Sequence, residues 1–130
     1  MEIKRISERF SICKVEDYSQ LNPNEEFVFT GKTDEESSLV CPVHSVPANA
    51  MLRDDGWKAM RIQGVLDFSL IGILAEISTV LAEDKIGIIA ISTYNTDYIL
   101  VREENYEKAL KALKSAGYRI LFPYWVIWTT

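Results

Sequence analysis

The second half of the chain shows an ordered change of hydrophobic period, and this restricts the fold more than any other feature. A helical stripe comes first, formed by Leu70, Ile73, Leu74, Ile77 and Leu81. Residues 86–93 then form a continuous β-branched run, which is typical of a buried strand. A polar turn at 95–97 separates this run from a second apolar run at 98–101, so the two runs predict a hairpin.

Segments on either side of this block complete the pattern. Residues 57–63 follow the turn signal at 54–56 and predict a strand. After the hairpin, a second helix is expected between Asn105 and Gly117, with Glu104–Lys108 and Glu107–Lys111 at the i,i+4 spacing of ion pairs. Residues 119–126 predict a last strand.

The predicted order is strand, helix, strand, strand, helix, strand. Such a βαββαβ unit folds into a four-stranded antiparallel sheet with both helices on one face, the ferredoxin-like arrangement. The sequence therefore predicts an α+β fold, with the complete unit at residues 57–130.

The first half, residues 1–56, is less regular. Apolar runs at 10–15, 27–30 and 38–41 predict short strands, and no strong helical stripe precedes residue 43. The segment FVFTGKTDEESSLV resembles IIAISTYNTDYILV, with Thr-Asp in each turn and an apolar strand on either side. We interpret this half as a truncated, mostly β lobe of the same kind.

Composition excludes several classes of protein. The formal net charge is -5 with no basic cluster, which argues against a nucleic-acid partner. Cys13 and Cys41 lie on apolar segments and are interpreted as buried hydrophobes rather than a disulfide framework. The first ten residues lack the apolar core of a signal peptide, and the apolar stretches are too short to span a bilayer. We expect a cytoplasmic protein without membrane contact.

Catalytic and metal motifs are weak. Cys41-Pro-Val-His44 has the gap of some zinc pairs, but a closed site needs about four ligands and His44 is the only histidine. The single histidine also argues against Ser-His-Asp and Cys-His designs, and no glycine-rich phosphate loop is present. An acylphosphatase-type hydrolase would need an arginine at 64–70, where there is none. We predict no catalytic residue, no metal, no cofactor and no enzyme activity.

A family resemblance rests on the block GVLDFSLIGILAEISTVLAEDKIGIIAISTYNTDYILV, residues 64–101. It resembles the ACT domain of the CASTOR-related group, which includes the arginine-sensing CASTOR proteins and small stand-alone bacterial relatives. Upstream, EESSLVCP, Val46-Pro47 and Gly56-Trp57-Lys58 resemble the first half of that family. The resemblance implies an ACT domain at 57–130, a truncated ACT-like lobe at 1–56 and a regulatory role.

The resemblance also implies a ligand site. In ACT domains the ligand lies where the loop after the first strand meets the second strand of a neighbouring lobe. Here that loop is 67–72, whose amides at a helix N-terminus favour a carboxylate. Asp97 in the hairpin turn resembles a ligand-holding position of the arginine sensors and would pair with an amino or guanidinium group. The predicted ligand-binding residues are Asp67, Ser69, Leu70, Gly72, Ile73, Gly87, Ile88, Thr93, Tyr94 and Asp97.

The chain departs from the family's sequence pattern at two positions. Ile71 stands where a threonine is expected and Gly87 where a serine is common, so two hydroxyls near the implied site are lost. Structural roles also compete with ligand contact: Asp97 as a turn residue, Asp67 and Ser69 as helix-start residues.

Two functions remain open from the sequence. The first is a regulatory domain that senses an amino acid or similar metabolite at a lobe or subunit interface, in a homodimer. The second is a protein–protein interaction or dimerisation module that has lost its ligand. The apolar segment at 122–130 either covers the domain's own sheet or forms an interface.

Overall fold

The computed structural model describes residues 1–63 and 72–122, which form strands and two α-helices in an α+β arrangement. Short 3-10 turns lie at Val43–Ser45 and Glu103–Asn105. The strands and helices in chain order are β1 Glu2–Val15, β2 Phe29–Lys32, β3 Ser37–Pro42, β4 Ala50–Gln63, α1 Ile73–Glu83, β5 Ile89–Ser92, β6 Asp97–Arg102, α2 Tyr106–Ser115 and β7 Arg119–Leu121.

The chain divides into two compact units. Unit 1 consists of Met1–Ser7 together with Lys58–Thr130, and unit 2 consists of Glu8–Trp57. The long strands β1 and β4 contribute residues to both units.

Unit 1 follows the predicted order of strands and helices but not the predicted four-stranded sheet. Its strands lie in the order β7–β1–β4–β6–β5, so the start of β1 is inserted between β4 and β7. β5 and β6 form the expected antiparallel hairpin, whereas β1 and β7 pair in parallel with Glu2 opposite Arg119. The insertion gives the three-residue β7 a partner and brings Ile3 into the core.

The core of unit 1 lies between the sheet and the two helices. Met60 and Ile62 alternate along β4, as Ile99 and Val101 do along β6, so each pair projects from one face of its strand. The helices cover this face with Ile77, Leu81, Tyr106, Ala109, Leu110 and Leu113. Each fully buried aliphatic side chain of this kind contributes about 2 kcal/mol through removal from water.

The carboxyl-terminal ends of both helices of unit 1 are closed by backbone hydrogen bonds. α1 starts after Gly72, which has φ 90° and holds the N-cap position rather than the expected Ser69, a residue outside the described ranges. At its other end Lys85 has φ 59°, and the Ile86 amide donates to the Leu81 carbonyl at 2.9 Å. α2 ends in the same way at Gly117, as predicted, with the Tyr118 amide 3.0 Å from the Leu113 carbonyl.

The prediction of a turn at residues 54–56 is wrong, because these residues lie inside β4. Asp55 accepts hydrogen bonds from Arg53 and from the Ser11 hydroxyl at 2.7 Å, and Arg53 holds the pKa of that carboxyl below its usual range. Gly56 has φ 95°, a conformation that glycine adopts without strain. It allows β4 to continue through a local irregularity of the strand.

Unit 2 is a sheet covered by a loop. Its strands lie in the order β2–β3–β1–β4. Residues 8–57 are all described and contain no α-helix. Tyr18 and Leu21 of the loop after β1 pack against the core formed by Cys13, Val15, Leu39 and Cys41. Cys13 and Cys41 are free and buried, and burial raises the pKa of the Cys41 thiol to about 12. Both cysteines therefore pack as small apolar side chains, as predicted.

Across residues 1–63 and 72–122, no helix has both the length and the hydrophobicity that a bilayer span requires.

Candidate functional site

The candidate site lies at the edge of the unit 1 sheet where β4 ends and the β5–β6 turn lies. β4 and β6 are neighbours in the sheet, and the Thr96 hydroxyl donates to the Ile62 carbonyl at 2.6 Å. This bond holds the turn against the end of β4. We call the residues at this edge, 61–63 and 93–98, the hairpin edge.

The turn itself is closed by its threonines. The Thr93 amide and hydroxyl both donate to the Thr96 carbonyl, at 2.8 Å and 2.9 Å. The Thr96 amide lies 3.4 Å from the Thr93 hydroxyl oxygen. Side-chain bonds of this kind fix the turn before any ligand arrives.

Asp97 opens β6 opposite Ser92 and is half-buried. One of its carboxylate oxygens accepts a hydrogen bond from the Ser92 hydroxyl at 2.5 Å. No second partner of this carboxylate occurs within 1–63 and 72–122. Asp97 therefore has a role in the hairpin and still retains acceptor capacity for a cation.

A pocket of about 320 Å³ opens beside the turn. Its charged group is Arg61, whose guanidinium donates to the Tyr98 hydroxyl at 3.1 Å and to the side-chain amide oxygen of Gln63 at 2.9 Å. The guanidinium also lies 5.7 Å from the centre of the Tyr98 ring. The lining residues are Arg61, Ile62, Gln63, Thr93, Asn95, Thr96 and Tyr98.

This arrangement suits a small molecule that carries a carboxylate. Arg61 is held by two neighbours and presents a planar cation that recognises carboxylates. Asp97 lies at the same turn, but it alternates with the buried Ile99 along β6 and is not among the lining residues. Thr93 and Asn95 add hydroxyl and amide groups to the pocket wall.

The residues expected at the site lie at different places in unit 1. Thr93 lines the pocket, Asp97 does not line it, and Tyr94 is fully exposed at the tip of the turn. Gly72 and Ile73 begin α1, with Ile73 packed against the core. Gly87 and Ile88 precede β5, at the end opposite to the turn. Asp67, Ser69 and Leu70 lie outside the described residues.

Sequence reasoning missed five of the pocket's polar residues: Arg61, Gln63, Asn95, Thr96 and Tyr98. A signal for the first two was present, because Arg61 and Gln63 alternate with the apolar Met60 and Ile62 along β4. That alternation places a cation on the face of the strand opposite to the core, two residues before the strand ends.

Metal ligands do not converge in the part of the chain that the structure describes, where no group of three His, Cys, Asp or Glu side chains is found. His44 Nε2 lies 3.0 Å from Glu25 Oε1.

Comparison with known proteins relates this fold to ACT domains. Residues 52–115 match the sequence profile of the ACT domain, a segment that includes the hairpin edge and both helices. A solved protein from Agobacterium tumefaciens is similar, with 29% identity and a TM-score of 0.81 over 95% of this chain and 93% of that one. No curated protein matched the chain.

Two aspartate kinase structures share the fold at lower identity. The regulatory subunit of aspartate kinase from Thermus thermophilus, in its ligand-free form, is 12% identical with a TM-score of 0.60, over 90% of this chain and 98% of that one. Aspartate kinase from Clostridium acetobutylicum is 16% identical with a TM-score of 0.64, and the match covers 85% of this chain but 33% of the kinase. The fold of this chain is therefore ACT-like.

Proposed function

We propose that the chain is a non-catalytic regulatory domain that binds an amino acid at the hairpin edge. The observation that carries the proposal is the pocket around Arg61, which lies in the segment that matches the ACT domain and joins the fixed turn at Thr93. Likeness to a regulatory subunit of aspartate kinase over nearly the whole of both chains supports the regulatory role.

The proposed ligand is held by one charged group and several neutral polar groups of the pocket. Its carboxylate pairs with Arg61, whose guanidinium is already oriented by Tyr98 and Gln63. Its ammonium group lies among the neutral acceptors of the pocket wall, the Thr93 hydroxyl and the Asn95 side-chain amide oxygen. Preorganised partners of this kind lower the entropic cost of binding.

A second copy of the chain is the proposed partner at this edge. Among the strands of residues 1–63 and 72–122, β5 stands at the end of the order, and no described strand pairs with its other side. If two copies of β5 pair antiparallel about the centre of Ile89–Ser92, Gly87 and Ile88 of one copy lie opposite Thr93 and Tyr94 of the other. This pairing would unite residues that lie at the two ends of β5 within one copy.

Regulation follows from such an interface. A ligand that contacts both copies binds the dimer better than the monomer, and it shifts that equilibrium by the difference in affinity. We therefore propose a homodimer whose stability depends on the bound amino acid.

We further propose that unit 2 is a truncated lobe of the same kind, within the CASTOR-related group. Its hairpin strands begin at 29 and 37, and those of unit 1 begin at 89 and 97. A 3-10 turn follows at 43 in one and at 103 in the other. The strands β2, β3 and β1 of unit 2 lie in the same order as their counterparts β5, β6 and β4 in unit 1.

A ligand-free interaction module is the second candidate function. The favouring observation is that Arg61 and Asp97 already have internal partners, Tyr98 and Gln63 for the first and Ser92 for the second. In this alternative the hairpin edge only stabilises the fold, and β5 alone mediates association with a second copy of the chain.

A thermal-shift screen against the twenty amino acids separates the two functions. A ligand that binds only the native state stabilises it by about 2.7 kcal/mol at a hundredfold excess over Kd. We expect one amino acid to raise Tm, and Arg61→Gln to abolish the rise. Arg53→Gln is the matched control, because Arg53 is also paired with neighbours but lies in unit 2. A well-folded protein with no response to any amino acid would leave the interaction module as the function.

A further inference from the structure

A second depression lies in unit 1 on the outer side of α2. It has a volume of about 440 Å³ and is bounded by α2, β7 and the start of β1. Its apolar surface comes from Leu110, Tyr118, Ile120 and Phe122. Leu110 and Tyr118 are almost fully buried, whereas Phe122 is 52% exposed, a large value for an aromatic ring. We call this depression the α2–β7 groove.

One cation of the groove is fixed in position. The Arg5 guanidinium donates to both carboxylate oxygens of Glu107, at 3.1 Å and 2.5 Å. It also lies 5.2 Å from the ring centres of Tyr106 and Phe122. Arg5 holds the pKa of the Glu107 carboxyl below its usual range, so this pair stays charged at neutral pH.

Positive charge exceeds negative charge at the rim of the groove. Lys111, Lys114 and Arg119 line it in addition to the Arg5–Glu107 pair. The predicted Glu107–Lys111 pair does not form, because Glu107 is turned towards Arg5. Neither Lys111 nor Lys114 has an ionic partner among the described residues, and Arg119 lies 3.5 Å from Glu2, an exposed contact.

This cationic rim stands out in a chain whose formal net charge is -5. A rim with surplus positive charge and a floor of aromatic and aliphatic side chains complements a ligand with an apolar body and an anionic head group. The volume is in the range of small-molecule sites, about 300–1,000 Å³.

We propose that the α2–β7 groove is a binding site for a small aromatic carboxylate. The aromatic ring packs on Tyr118, Ile120 and Phe122, and the carboxylate lies between Lys111 and Lys114. The groove shares no lining residue with the pocket at the hairpin edge, so this site is separate from the proposed amino-acid site and does not depend on it.

The test is a titration of the full chain with indole-3-acetate, followed by amide chemical shifts in NMR spectra and by calorimetry. We expect shifts at α2 and β7, and weaker binding of neutral indole-3-acetamide. Lys111→Gln with Lys114→Gln should weaken indole-3-acetate binding about fivefold, because each exposed ionic contact contributes modestly. Lys108→Gln is the matched control, since Lys108 lies on the same helix but does not line the groove.

Three results would overturn the proposal. The first is no binding of indole-3-acetate at millimolar concentration. The second is equal affinity for the acid and its amide, or unchanged affinity in the double lysine variant. The third is a response confined to the hairpin edge at 61–63 and 93–98, which would support the amino-acid site while removing the groove as a separate one.

Discussion

At the scale of single residues, the site depends on side chains that serve the fold and the ligand together. Arg61 bonds Tyr98 and Gln63 while it faces the pocket, and Asp97 bonds Ser92 while it keeps acceptor capacity. These bonds orient each charge in the free protein. Because of these bonds, removing one charge affects stability as well as binding. Arg61→Gln therefore needs Arg53→Gln as a control, since Arg53 also has an ionic partner.

Tyr106 gives a residue-level prediction that concerns stability alone. Its hydroxyl donates to the Ala59 carbonyl at 2.6 Å inside the core. We expect Tyr106→Phe to lower the free energy of unfolding by about 1–2 kcal/mol at neutral pH, because the buried carbonyl loses its partner. Urea denaturation measures this loss, and an unchanged free energy of unfolding would show that the bond contributes nothing.

The same residue predicts a pH dependence. Burial raises the pKa of Tyr106 from its ordinary value of 10.0 to about 12, so the folded state favours the neutral phenol. This contribution is complete below pH 10 and is lost as the pH rises from 10 to about 12. Wild type should therefore lose stability more steeply than Tyr106→Phe in this window. Tyr118, whose pKa burial also raises to about 12, accounts for part of the remaining slope in the variant. Equal slopes would contradict the assignment.

At the scale of secondary-structure elements, the two hairpins have the same lengths and similar turns. In the first turn the Thr33 hydroxyl oxygen accepts from the Glu35 and Glu36 amides, at 3.1 Å and 3.2 Å. The Thr33 amide donates to the Glu36 carbonyl at 2.9 Å, as that of Thr93 does to Thr96. Each hairpin begins with four strand residues and continues with six.

This likeness predicts matched effects of matched variants. Thr33→Val and Thr93→Val each remove a hydroxyl that bonds the backbone of its own turn, so each should lower the free energy of unfolding by about 1 kcal/mol. Thr79→Val is a control, because its hydroxyl bonds the backbone of a helix instead. A loss at one turn and none at the other, measured by urea denaturation, would argue against the proposal that unit 2 is a lobe of the same kind.

Elements with local signals were predictable from the sequence, and non-local pairings were not. The stripe through Ile77 and Leu81 and the polar turn before Tyr98 are set by neighbours within a few residues. The insertion of β1 between β4 and β7 depends on residues more than a hundred positions apart, which periodicity does not report. The likeness between the two hairpins was visible in the sequence, but that alignment was shifted by one residue from the correspondence of their strands.

The candidate site was only partly predictable for a related reason. Thr93 was expected from its place in the turn, and it lines the pocket. Alternation with Met60 and Ile62 places Arg61 on the polar face of β4, but this pattern does not distinguish a pocket arginine from a solvated one. Its role depends on Tyr98, which reaches it from a neighbouring strand.

At the scale of the whole molecule, the proposed regulation depends on dimerisation through β5. Sedimentation velocity should show a dimer that dissociates on dilution and is stabilised by the amino acid found in the thermal screen. Replacing the exposed Ala90 in β5 by proline should shift the protein towards monomer, because proline fits poorly in a paired strand. Far-ultraviolet circular dichroism checks that the variant folds. A folded Ala90→Pro variant that dimerises as strongly as wild type would exclude β5 as the interface.

Amino-acid binding at the hairpin edge is tested by an NMR titration of the full chain. With the amino acid that raises Tm, we predict saturable chemical-shift changes at the amides of 61–63 and 93–98, and their loss in Arg61→Gln but not in Arg53→Gln. Changes that saturate elsewhere in the chain and leave these amides unmoved would contradict it.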